Sequence, residues 1–74
     1  MRQNTIALLD ILDNGMTLIL SNGGKFRVDP YDQSEVSTWA IADDIELDRT
    51  RDDVFDYTLA NRDSDTWIRA RRLN

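Results

Sequence analysis

Three short stretches of this chain carry residue types at spacings that could do chemistry. In TWIRARRL, Trp67, Arg69 and Arg71 recur at a two-residue period. On a β-strand they share one face, where an indole beside guanidinium groups can anchor a protein interface or stack a base and hold phosphates. In DDIELD, Asp44, Glu46 and Asp48 share one phase while Ile45 and Leu47 take the other. Three carboxylates on a solvated strand face can meet a basic surface or hold a divalent ion weakly. Asn61-Arg62-Asp63-Ser64-Asp65 has the alternating oxygen ligands that open a calcium loop. An EF-hand needs Gly at its sixth position and an acid at its twelfth, and this chain has Thr66 and Arg72 there. The segment therefore reads as a polar hairpin turn closed by Asx hydrogen bonds.

Catalysis has little to work with. The chain has no cysteine and no histidine, which removes thiolate nucleophiles, disulfides, the common zinc sites and the usual near-neutral general base. Paired carboxylates can do acid–base work only when burial raises the pKa of one of them, and these acids sit in turns and on solvated faces. Asp52, Asp53 and Asp56 follow Arg49 and Arg51 as a mixed-sign loop of little energetic consequence. No catalytic residue, metal ligand or cofactor is expected, and the expectation is a protein that is not an enzyme.

Charge narrows the partners. Fourteen acids, twelve of them Asp, against nine bases give a net charge of −5. From Asp29 to Asp65 there are twelve acids against Arg49, Arg51 and Arg62, a local net of −9, while the flanks carry a net of +4. Such a chain is poorly matched to phosphate backbones. Nucleic acid is disfavoured as a partner, and another protein is favoured.

The elements that position these residues read as β-strands. TIALLDIL carries aliphatic residues on both phases of a two-residue period, too short a run for a good helix. Asp13-Asn14-Gly15 is a hairpin signal, and MTLIL returns as a second strand. After Ser21-Asn22-Gly23-Gly24, KFRVD alternates, with Phe26 and Val28 on one face, until Pro30 ends it. Asp32 or Ser34 is placed to cap one helical turn around Val36 to Trp39, laying Trp39 across an open barrel end. IELD (Ile45 and Leu47 inward), VFDYTLAN (Phe55, Tyr57 and Leu59 on one side) and TWIRARRL supply the remaining strands. The expected fold is all-β: a single domain over residues 1–74, a small five- to six-stranded SH3-like or OB-like barrel with one short helical turn.

The succession SNGGKFRVDPYD, VSTWAIADDIEL and FDYTLANRDSDTWIRARRL resembles a group of small uncharacterised bacterial β-barrel proteins marked by an Asp-Pro turn, a central Trp and a Leu-Asn hairpin. The likeness covers residues 17–73 and rests on turn and core positions. Ala42-Asp43 stands where that pattern has Gly-Asp. The resemblance implies an SH3-like or OB-like barrel with no known activity. Asp10 and Asp13 interrupt the apolar core a secretory signal would need, and no apolar run approaches the ~20 residues of a membrane helix. A cytoplasmic location without membrane attachment is the expectation, with a removed leader compatible with the same residues. Three functions then compete. The first is a protein-interaction module presenting an edge strand or the Trp67–Arg71 face with the acidic loops. The second is an acidic phage or mobile-element inhibitor that mimics nucleic-acid charge, and the third is single-stranded nucleic-acid binding by the last strand.

Overall fold

The computed structural model describes residues 6–74. Six strands, β1 (Ile6–Leu12), β2 (Thr17–Leu20), β3 (Lys25–Val28), β4 (Asp44–Arg49), β5 (Tyr57–Asn61) and β6 (Thr66–Arg72), form a closed barrel in the order β1-β2-β3-β6-β5-β4. Every neighbouring pair is antiparallel. Two three-stranded meanders face each other, and the β3–β4 connection crosses one barrel end to join them. Closure removes the long unpaired edges that an open sheet would leave. Among the described residues the seam between β1 and β4 pairs Ile6 with Ile45 and Ala7 with Asp44. Among the described residues no helix is long and apolar enough to cross a membrane.

Alternation explains most of the core. Leu18 and Leu20, Phe26 and Val28, and Ile68 and Ala70 have no exposed surface, each pair lying two residues apart on its strand. Each fully buried Val, Leu, Ile or Phe side chain contributes about 1.5–3 kcal/mol. The first strand breaks the rule through a bulge. The β1–β2 register slips between Leu8 and Asp10, so Leu8 points inward, Leu9 is left 53% exposed, and Ile11 resumes packing against the core. The aliphatics on both phases of TIALLDIL thus mark a phase switch. Thr5 of that expected strand lies outside the described residues.

The two barrel ends are plugged differently. At one end Phe26 and Tyr57 meet edge to face at 5.3 Å, with the Arg72 and Arg49 guanidinium groups over their rings at 5.9 and 5.3 Å. The other end is closed by the β3–β4 connection. Here a 3₁₀ turn at Pro30–Asp32 runs into α1 (Gln33–Val36), and Trp39 follows, 95% buried, its indole Nε1–H donating to Thr66 Oγ1 at 2.8 Å. The helix sits earlier than the expected Val36–Trp39 turn. Asp32 holds its N-cap position without a side-chain cap bond, its carboxylate accepting from the Arg69 backbone N–H instead. Buried Asp29 caps the preceding 3₁₀ turn, accepting from the Tyr31 N–H at 3.0 Å.

The fifth strand is shorter than expected. β5 begins at Tyr57, and Val54 is 53% exposed. Asp52 Oδ1 takes the N–H groups of Val54 and Phe55, and Thr50 Oγ1–H donates to the Phe55 carbonyl. These side chains satisfy the groups a strand would have paired.

Ala42 has φ of +80°, the left-handed region where glycine is favoured. That is the position where the resembling pattern has Gly. Gly24 is the opposite case, since a Cβ there would lie 2.7 Å from Phe26 Cε1. Ala42→Gly should therefore stabilise the fold by about 0.5–1 kcal/mol, after the glycine's extra unfolded-state entropy is subtracted from the relieved strain. Gly24→Ala should cost about 1–3 kcal/mol through overpacking. Urea melts of both variants check the opposite signs.

Candidate functional site around Trp67

The β5–β6 hairpin carries the site. Asn61 and Thr66 pair at the last rung of that ladder. Asn61 is 99% buried, and its Oδ1 accepts from the Asp63 and Ser64 N–H groups at 2.9 and 3.1 Å. Its Nδ2 donates to Asp43 Oδ2 at 2.8 Å. The would-be calcium loop is thus an Asx turn whose first oxygen is spent on its own backbone. Asp65 closes it with φ of +59° and donates its N–H to the Asn61 carbonyl.

This turn delivers Trp67 to the outer face of β6, where it is 59% exposed. On one side a shallow depression is lined by Asp32, Glu35, Asp65 and Thr66 together with the indole. On the other side Glu46, Ala60, Arg62 and Asp65 line a second. Register explains the neighbours: Glu46 lies opposite Ala60, and Ala60 opposite Trp67. Four carboxylates therefore flank one exposed indole. Arg62 partly offsets them through an ion pair with Glu46 at 3.0 Å between two exposed side chains, an interaction worth no more than about 1 kcal/mol.

Trp67, Arg69 and Arg71 lie on the outward phase of β6, and Asp44, Glu46 and Asp48 on that of β4. Arg69 is committed to structure: its Nε lies 3.6 Å from Asp29 Oδ2 and 3.7 Å from Asp32 Oδ2, and its backbone carbonyl accepts from the Asp29 N–H. Arg71 forms no ion pair among the described residues and stands directly opposite Arg27 of β3. Glu46 joins Trp67. Asp48 lies on the next rung, opposite Thr58, which faces Arg69. Asp44 shares the outer face of β4 with Glu46 and Asp48, and its backbone N–H donates to Asp63 Oδ2 of the β5–β6 hairpin. No three acidic side chains among the described residues are grouped to hold a metal ion.

Asp32, Glu35 and Asp65 were not singled out in the sequence as companions of Trp67. A signal did exist for two of them. Asp32 and Glu35 are three residues apart, so once Val36 and Trp39 turn inward both fall on the same side of the helical turn.

Comparison with protein-family models, curated proteins and solved structures finds no match to this chain. What the structure supports of the resemblance to small bacterial β proteins is the six-stranded antiparallel barrel itself.

Two turn carboxylates titrate low. Asp43 is held below the ordinary 3.8 by the Asn61 amide and then the Ala40 N–H. Asp52 is lowered by the N–H groups of Phe55 and then Val54. A folded-state pKa below the unfolded one stabilises the fold above the unfolded value, and that stability is lost as pH falls through the folded one. Stability should be flat through neutral pH and decline below pH 3.8. Asn61→Ala should cost about 2–3 kcal/mol at neutral pH by stranding its partners. It should also flatten part of the acid decline, because Asp43 loses its main hydrogen bond. Chemical melts of both proteins from pH 7 to pH 2 measure both effects.

Proposed function

We propose that this protein is a non-enzymatic interaction module whose Trp67 surface takes a basic segment of a partner protein. The observation that carries the reading is an exposed indole with carboxylates on both sides, Asp32 and Glu35 across one edge and Glu46 across the other, with Asp65 bordering both depressions. An arginine or lysine entering either depression gains the ring's negative face and a carboxylate together. Trp is also the residue type most enriched at interface hot spots.

The same rim argues against the two other readings. Phosphates approaching Trp67 meet Glu35 and Asp65, while the nearby arginines are already paired, Arg69 with Asp29 and Asp32 and Arg62 with Glu46. The carboxylate row a nucleic-acid mimic would present amounts here to Asp44, Glu46 and Asp48 on one face of β4, and Glu46 is already paired with Arg62. Strand addition would have to open the β1–β4 seam of a closed barrel.

Titration with an arginine-rich peptide, followed by calorimetry, tests the proposal. Binding should weaken as salt screens the rim. Trp67→Ala should reduce affinity about tenfold, the equivalent of one desolvated cation–π contact, while leaving the melting midpoint within a few degrees of the parent. Equal affinity for Trp67→Ala, or tighter binding of single-stranded DNA than of the peptide, would overturn it.

A further inference from the structure

The outer face of the barrel beside β6 is divided by charge. At the Thr66 end lies Trp67 with Glu35, Glu46 and Asp65. Toward the Arg72 end lie Arg71, Arg27 directly opposite it, and exposed Lys25 two residues before Arg27 on β3. Side chains directly opposed across two strands have Cβ atoms about 5 Å apart, and like charges there repel. Arg27 finds only a distant carboxylate, Asp13 at 3.9 Å, and Arg71 finds none within ion-pair range among the described residues. Between the two halves sits Arg69, with its charge balanced by Asp29 and Asp32. One strand thus carries an acidic aromatic patch, a neutralised midpoint and a basic patch in a row.

We propose that this face pairs with the same face of a second copy of this chain, antiparallel about a two-fold axis through Arg69. The inference rests on reading the Trp67 surface as a dock for cations and names its first occupant. In that arrangement Arg71 and Arg27 of each copy meet Trp67, Glu35 and Asp65 of the other. The contact is made twice, as a two-fold interface requires. The two Arg69 residues meet on the axis, each already compensated within its own copy. The opposed pair Arg27–Arg71, unfavourable within one chain, gains carboxylates on both sides. A face this narrow buries less than a standard interface, so the pair is weak, concentration-dependent and sensitive to salt.

Sedimentation equilibrium of the full chain at low ionic strength, from micromolar to millimolar concentration, tests this. The mass should rise from 8.6 kDa toward twice that value and return to 8.6 kDa at high salt. Arg71→Glu should be monomeric throughout, and so should the double variant Glu35→Lys, Asp65→Lys. An equimolar mixture of the two should recover the pair, because each repels itself and complements the other. Arg27→Glu replaces Arg71→Glu if the latter does not melt cooperatively. A wild-type mass fixed at 8.6 kDa, a pair unaffected by either arginine change, or a mixture that stays monomeric overturns the inference. Failure here is distinguishable from failure of the broader reading. Arg71→Glu keeps the Trp67 rim intact, so its binding of the arginine-rich peptide reports on the rim alone.

Discussion

Asn61 and Thr66 face each other where the β5–β6 ladder ends, and most of what makes this barrel specific passes through that rung. Asn61 ties the hairpin turn to Asp43, the residue before β4 begins, and Thr66 accepts from the indole of Trp39. The long β3–β4 connection is thereby fastened to the far meander at two points. A buried amide left without partners would cost about 1–3 kcal/mol, so the turn, the plug and the fourth strand are set together. Trp67 follows Thr66 in the chain. The same rung that fixes the barrel end therefore also fixes the indole's position on the outer surface.

Two plugs of different character complete the cylinder. Phe26 and Tyr57 close one end under two arginines, an apolar pair whose covering cations bury their stems and keep their charge in water. Trp39 and Val36 close the other beneath a single short helix. Seven residues of helical turn would not be stable alone. They persist because Asp29 caps them from within and Arg69 of β6 grips Asp29 and Asp32. Arg69, a candidate binding residue in the sequence, thus also ties β6 to the helical turn.

Period-two alternation made the strands legible, and the left-handed residues at Asp13, Asn14 and Gly15 mark the first hairpin as their types imply. The β1 bulge was hidden because aliphatics on both phases of a strand read equally as burial on both faces, and only the partner strand's register decides. The start of β5 was hidden because VFDY alternates as a strand does, while the competing bonds come from Thr50 and Asp52 in the preceding loop. At the site, Trp67 and Glu46 were visible as surface residues of their own strands. Their adjacency follows from two registers through Ala60. The three-residue spacing of Asp32 and Glu35 groups them on one side of the helical turn, while their approach to Trp67 follows only from the crossing of the barrel end.

The most direct test of the central claim, that Trp67 and its carboxylate rim form the binding surface, is a residue-resolved amide NMR titration of the full chain with an arginine-rich peptide. Shifts should concentrate at Trp67, Ala60, Glu35 and Asp65 and at the Trp67 indole N–H, while the Trp39 indole N–H, held by Thr66 inside the barrel end, should stay unmoved. Shifts centred instead on the acidic loop at Asp52 and Asp53, with the Trp67 indole silent, would contradict that claim.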